Sequence, residues 1–127
     1  MVYYASMIEN LSKVEYASLL YDFYGQLLDD NKKDIMTLYH EDNLSLKEIA
    51  EDLGQSRQGV HYTLKKAEAT LEKYEGKLGL VQKYLNNLPK YEQIEQIASK
   101  YESDASLDDG IRKDMNILIN TIKDLME

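Results

Sequence analysis

The stretch Ser45–Lys66, SLKEIAEDLGQSRQGVHYTLKK, constrains the possible fold of this chain more than any other. Ser45 is a good N-cap, and Glu48 three residues later completes a capping box in which each side chain satisfies an orphan backbone donor. Leu46, Ile49, Ala50 and Leu53 then mark one face of a short helix at three- and four-residue spacing. Gly54 follows the last of them, where a helix commonly ends on a left-handed residue that glycine adopts cheaply. Ser56 can cap a second helix at once. Arg57, Gln58, His61, Tyr62 and Lys65 come off that helix as polar residues, Ala50 is small enough for the crossing of the two helices, and Val60 buries the second one. The pattern predicts a helix-turn-helix that holds its second, recognition helix outward.

The remainder of the chain predicts helices around that unit. Residues 1–11 carry little pattern and read as a frayed lead-in. Tyr16, Leu19, Leu20, Phe23, Tyr24, Leu27 and Leu28 fall on one face of a helix over about 12–28. Asp29 and Asp30 can cap the next helix, whose apolar set is Ile35, Met36, Leu38 and Tyr39 before a polar turn at 40–43. Beyond the recognition helix, Val60, Leu64, Ala67, Leu71, Tyr74, Leu78, Val81, Leu85 and Leu88 repeat at alternating three- and four-residue steps, a sustained heptad seam. Unbroken from Arg57 to Leu88 this helix would be roughly 48 Å long at about 1.5 Å per residue. Gly76 and Gly79 mark a kink or break within it, and Pro89 is expected to stop it. A short helix should follow over Tyr91–Tyr101, then a loop at 103–109. Ile111, Met115, Leu118, Ile122 and Leu125 form a second narrow seam in the last helix, which needs a partner in this chain or in another copy.

At 127 residues the chain has room for one modest core with an appendage, expected as a helix-turn-helix domain over 1–75 and a helical extension for packing or dimerisation over 76–127. One proline and six glycines leave long uninterrupted stretches that favour an all-α fold. No window approaches the roughly 18 consecutive apolar residues of a membrane span. The N-terminus lacks a basic segment before an apolar run, so no signal peptide is expected. The absence of cysteine suits a cytoplasmic protein. His40 and His61 are the two histidines, and neither sits in a metal-ligand spacing. With no phosphate loop, nucleophile elbow or distinct carboxylate pair, neither catalysis nor a cofactor or metal is expected. Eleven tyrosines, most at helical spacing among Leu and Ile, read as core packing rather than a stacking platform.

A formal charge of −8 opposes general affinity for nucleic acid. Its distribution is uneven: residues 1–55 carry a net −7, residues 56–90 a net +4 and residues 91–127 a net −5. The positive segment begins with the recognition helix, which favours a localised anionic contact.

Two runs, LLYDFYGQLLDD and LYHEDNLSLKEIAEDLGQSRQGVHYTLKKAEATLEKYEGKLGL, closely resemble the YlxM family of small bacterial helix-turn-helix proteins. The resemblance covers about Leu19 to Leu80, and Asp22-Phe23-Tyr24, Ser45 to Ala50 and Ser56-Arg57-Gln58 are its most specific parts. It implies an all-α fold like the region-four domain of bacterial sigma factors, which reads promoter DNA through such a helix. It also implies a regulatory role associated with the signal recognition particle pathway. By position, Ser56 would cap the recognition helix and Arg57 would stand at its N-terminal end near phosphate or a base edge. Gln58, His61 and Tyr62 would face the major groove of duplex DNA, with Lys65 and Lys66 near the backbone. Sigma recognition helices usually carry several arginines here, whereas this chain keeps Arg57 among Gly59, His61 and Tyr62. Bidentate arginine–guanine contacts, each worth about 1–3 kcal/mol of discrimination, are mostly missing. The expectation is a dimeric DNA-binding regulator. The alternative is an interaction module that keeps the fold and binds a protein or RNA component of the targeting particle.

Overall fold

The computed structural model describes residues 11–126, so the expected lead-in falls outside the described residues except for Leu11. Six α-helices and a short 3-10 turn account for the described secondary structure, and no strand occurs among those residues. The helices are α1 (Lys13–Tyr24), α2 (Asp30–His40), α3 (Leu46–Leu53), α4 (Arg57–Leu78), α5 (Leu80–Glu102) and α6 (Asp109–Met126). Residues 11–83 belong to one compact unit and residues 84–126 to a second.

In the first unit the boundaries follow local chemistry. Ser12 caps α1 by accepting from the Glu15 backbone N–H, and Asp29 caps α2 by accepting from that of Lys32. The helix expected over 12–28 is α up to Tyr24 and then tightens into the 3-10 turn Gly25–Leu27. The Tyr21 ring lies where a Cβ on residue 25 would be, 2.5 Å from that position, and its hydroxyl is 2.5 Å from Thr37 Oγ1 on α2. The tyrosine thus ties α1 to α2 across the one residue small enough to admit it.

Helix α4 is the hub of this unit, packing against α1, α2 and α3. Val60, Leu64, Ala67 and Leu71 line its inner face and are buried, alongside Leu20 and Tyr24 of α1, Ile35 and Met36 of α2, and Ile49 and Ala50 of α3. Burying such side chains contributes about 1.5–3 kcal/mol each for the larger aliphatics. This first half of the long seam is therefore used inside the chain.

The seam does not continue as one helix. α4 ends at Leu78, and Gly79 adopts φ 64°, ψ 22°, the left-handed conformation that an L side chain avoids at a cost of about 1–2 kcal/mol. Gly76 stays within the helix. The next helix starts at once because a half-buried polar cluster satisfies its free N–H groups. Glu75 Oε1 accepts from the Val81 N–H at 2.9 Å and Oε2 from that of Gln82 at 3.0 Å. The Tyr24 hydroxyl donates to Glu75 Oε1 at 2.6 Å and accepts from the Leu80 N–H at 3.1 Å. A carboxylate on one helix thus caps the next, in the place where the positive end of the helix dipole favours negative charge. Burial pulls the Glu75 carboxyl upward, but the bonds from Tyr24, Val81 and Gln82 outweigh it and hold it below its ordinary range. Tyr24 is raised by burial and by its bond to Glu75. Leu78, placed by its spacing on the seam, is left 56% exposed by the break.

Pro89 does not stop the chain's second long helix. It lies inside α5, which runs to Glu102 and absorbs the short helix expected after it. The proline forfeits one hydrogen bond to the Leu85 carbonyl, a local cost that the turns on either side survive. The tyrosines are less buried than expected. Tyr24 alone of those described is fully buried, Tyr16, Tyr21, Tyr39, Tyr74, Tyr91 and Tyr101 are half-buried, and Tyr62 and Tyr84 are exposed.

In the second unit the predicted loop at 103–109 falls between α5 and α6. The Arg112 guanidinium donates to the Asp104 carbonyl at 2.6 Å, and Asp104 Oδ1 accepts from the Ser106 N–H at 2.9 Å. On α6 the expected seam is only partly engaged. Ile119 is buried, Met115 and Ile122 are half-buried, and Ile111, Leu118 and Leu125 remain exposed.

Candidate nucleic-acid interface

The helix-turn-helix consists of α3, the turn at 54–56 and α4. Ser45 Oγ accepts from the Glu48 N–H at 3.1 Å and a Glu48 carboxylate oxygen accepts from the Ser45 N–H at 3.2 Å, so both halves of the capping box form. Gly54 takes φ 64°, ψ 34° and ends α3, with its N–H bonded to the Ala50 carbonyl. Ser56 then starts α4, its Oγ accepting from the Gly59 N–H at 3.0 Å. A Cβ on residue 59 would stand only 3.0 Å from that oxygen, so the glycine lets the cap close tightly.

From this start the helical period sorts the side chains. Val60, Leu64 and Ala67 turn inward and are buried, while Arg57, Gln58, His61, Tyr62, Lys65 and Lys66 turn outward and are exposed. Positions 57, 61 and 65 form one row, and 58, 62 and 66 a second beside it. The structure therefore brings the sequence-predicted residues onto a single face, with Ser56 at its N-terminal edge as the cap.

The electrostatics of the face are open at one end and lightly engaged at the other. Among the described residues Arg57 makes no ion pair. Lys65 Nζ stands 3.3 Å from Glu68 Oε2, with 61% of the lysine side chain exposed. Such a surface pair is worth about 0.3–0.5 kcal/mol and yields readily to a stronger anion. Lys66 Nζ lies 5.2 Å from the centroid of the Tyr62 ring, which is itself 62% exposed. The two side chains prop each other outward without being buried.

Other helices frame this face with residues that the motif itself does not point to. Leu46 of α3 joins Arg57, Gln58 and His61 in lining one shallow cleft. Asn31 and Lys32, from the start of α2, and Thr63 join Tyr62 and Lys66 in another, next to Asp29. Lys32 is held 3.4 Å from Asp29, which offsets its charge. No periodicity within α4 could have revealed these neighbours, because packing of α2 and α3 on the hub brings them there. Among the described residues no group of three or more His, Asp or Glu side chains is arranged to hold a metal ion, and no helix is long and apolar enough to cross a membrane.

Comparison with known proteins places this geometry in a family. The family model described as "Putative helix-turn-helix protein, YlxM / p13 like" matches residues 11–111. A UPF0122 protein of Caldanaerobacter subterraneus subsp. tengcongensis is 49% identical over 81 residues, covering 64% of this chain and 69% of the relative. One of Desulforamulus reducens is 42% identical over 101 residues, covering 80% and 86%. One of Bacillus thuringiensis is 34% identical over 119 residues, covering 94% of this chain and 99% of that one. The family is described by its helix-turn-helix and not by any reaction. The chain belongs to the UPF0122 family of YlxM/p13-like helix-turn-helix proteins.

Proposed function

We propose that this protein is a cytoplasmic DNA-binding regulator that inserts the N-terminal half of α4 into the major groove of duplex DNA. Arg57, Lys65 and Lys66 neutralise phosphates, Gln58, His61 and Tyr62 face the base edges, and Ser56 fixes the start of the helix. The observation that carries this reading is the single exposed face formed by these side chains on a helix whose opposite face is buried. One arginine in six outward positions supports a contact dominated by the phosphate backbone, with modest selectivity among sequences. Residues 1–75 serve as the reading domain and 76–127 as the extension that packs or pairs two copies, so that a homodimer presents two recognition helices. The link to the signal recognition particle pathway rests on the YlxM resemblance.

The test is fluorescence anisotropy of a labelled duplex at low salt. Binding that Arg57→Ala weakens is the expected outcome, and no measurable binding to duplex DNA overturns the reading. The second reading, a module that binds a protein or RNA component of the targeting particle, is favoured by the acidic segments on both sides of α4. A pull-down from cell extract scored for both nucleic acid and targeting-particle components separates the two. Recovery of particle components without DNA selects the second.

A further inference from the structure

The outward row Gln58, Tyr62 and Lys66 carries chemistry that neutralising phosphates does not use. Gln58 and the Tyr62 hydroxyl are exposed and make no hydrogen bond among the described residues. The Lys66 ammonium lies over the Tyr62 ring at 5.2 Å and steadies it, yet the residue stays 62% exposed. Gln58 and Tyr62 stand one helical turn apart, roughly 6 Å along the axis, and successive base pairs are about 3.4 Å apart. The two side chains thus span about two base-pair steps.

Base edges in the major groove differ in what they ask of a side chain. An amide, with donor and acceptor side by side, matches adenine N6 and N7, and the thymine C5-methyl offers an apolar contact. Guanine calls for a guanidinium or ammonium, and cytosine for a carboxylate. None of the outward residues 57, 58, 61, 62, 65 and 66 is acidic, and the Glu68 carboxylate is held 3.3 Å from Lys65. With Arg57, Lys65 and Lys66 on phosphates, guanine finds no bidentate partner. A single His61 nitrogen gives or takes one hydrogen bond and discriminates little.

We infer that this face selects A·T pairs in duplex DNA. The Gln58 amide donates to adenine N7 and accepts from adenine N6–H, and the Tyr62 ring lies on the C5-methyl of a thymine one or two pairs along. The inference rests on the DNA-binding reading above and adds the class of site that it prefers.

The experiment uses the full chain and three labelled duplexes of about 20 pairs, two turns of the double helix. One is built of A·T pairs in mixed order and one of G·C pairs. The third repeats the first with uracil for thymine, which removes only the methyl. At low salt the A·T duplex should bind about tenfold more tightly than the G·C duplex. It should bind about threefold to fivefold more tightly than the A·U duplex. Gln58→Ala should bring the A·T duplex toward the G·C one. Tyr62→Ala should abolish the difference between A·T and A·U, and Tyr62→Phe, which keeps the ring, should preserve it. Arg57→Ala should weaken all three duplexes alike. Equal binding of the three, or a preference for G·C, would overturn the inference and leave the DNA reading standing. An A·T preference that survives in both alanine variants would also overturn it, because groove shape would then be the source. Binding of none of the duplexes would overturn the DNA reading and this inference with it.

Discussion

The two ends of α4 hold their charged side chains in opposite ways. Near the N-terminus Arg57, Lys65 and Lys66 stand in solvent, held by nothing stronger than a surface pair and a ring contact. Near the C-terminus Glu75 accepts three hydrogen bonds, from Tyr24, Val81 and Gln82, and is bound into a joint between two helices. One helix thus divides into an end that is free to meet a ligand and an end whose polar groups are spent on architecture. Substitutions at the free end should change binding and leave stability alone. Substitutions at the joint should do the reverse.

The largest expected effect tests the joint. Glu75→Ala leaves two backbone N–H groups and the Tyr24 hydroxyl without their acceptor, and should cost about 2–3 kcal/mol in urea unfolding. A loss below about 0.5 kcal/mol would break the comparison, since it would put Glu75 in the class of surface substitutions. The two glycines beside it sharpen the point by their opposite signs. Gly79→Ala forces a Cβ into the left-handed region and should cost about 1–2 kcal/mol. Gly76→Ala, within the helix and with open space around the new Cβ, should stabilise by about 0.5–1 kcal/mol.

Acid should loosen the joint. Because Glu75 has a lower pKa folded than unfolded, its contribution is complete above the ordinary carboxylate range and is lost as pH falls through the depressed value. His40 adds to the same slope. Burial outweighs the pull of Glu68 and Asp22 and lowers it from 6.5, so protonation begins to cost stability as pH falls below that value. Melting temperature should therefore fall below pH 6.5 as His40 takes up a proton, and further below the ordinary carboxylate range, where the part belonging to the joint should be missing in Glu75→Gln. At the free end, Lys65→Ala should shift stability by no more than about 0.5 kcal/mol.

How much of this was legible in the sequence depended on the range of the interactions. The caps at Ser45, Gly54 and Ser56 were readable because each forms within three or four residues of itself. The outward face of α4 was readable for the same reason, since Val60 and Leu64 fix its phase. The joint was not, because Tyr24 and Glu75 lie 51 positions apart and meet only through the packing of α1 on α4. The break in the heptad seam was legible in Gly76 and Gly79, and it falls at Gly79, where a cap for α5 is in place. The stop expected at Pro89 does not occur, because a single missing hydrogen bond is too small to enforce it. The clefts beside the recognition face were hidden too, as Asn31, Lys32 and Leu46 reach them from other helices.

The salt dependence of duplex binding, measured for the unsubstituted chain and for Arg57→Ala/Lys65→Ala, tests the central claim most directly. With the free end of α4 on the phosphates, affinity falls steeply as salt rises. The double variant should flatten the logarithmic slope by roughly one unit for each phosphate it no longer neutralises, with its unfolding curve nearly unmoved. An unchanged slope in that variant, or no binding to duplex at low salt, would contradict the account.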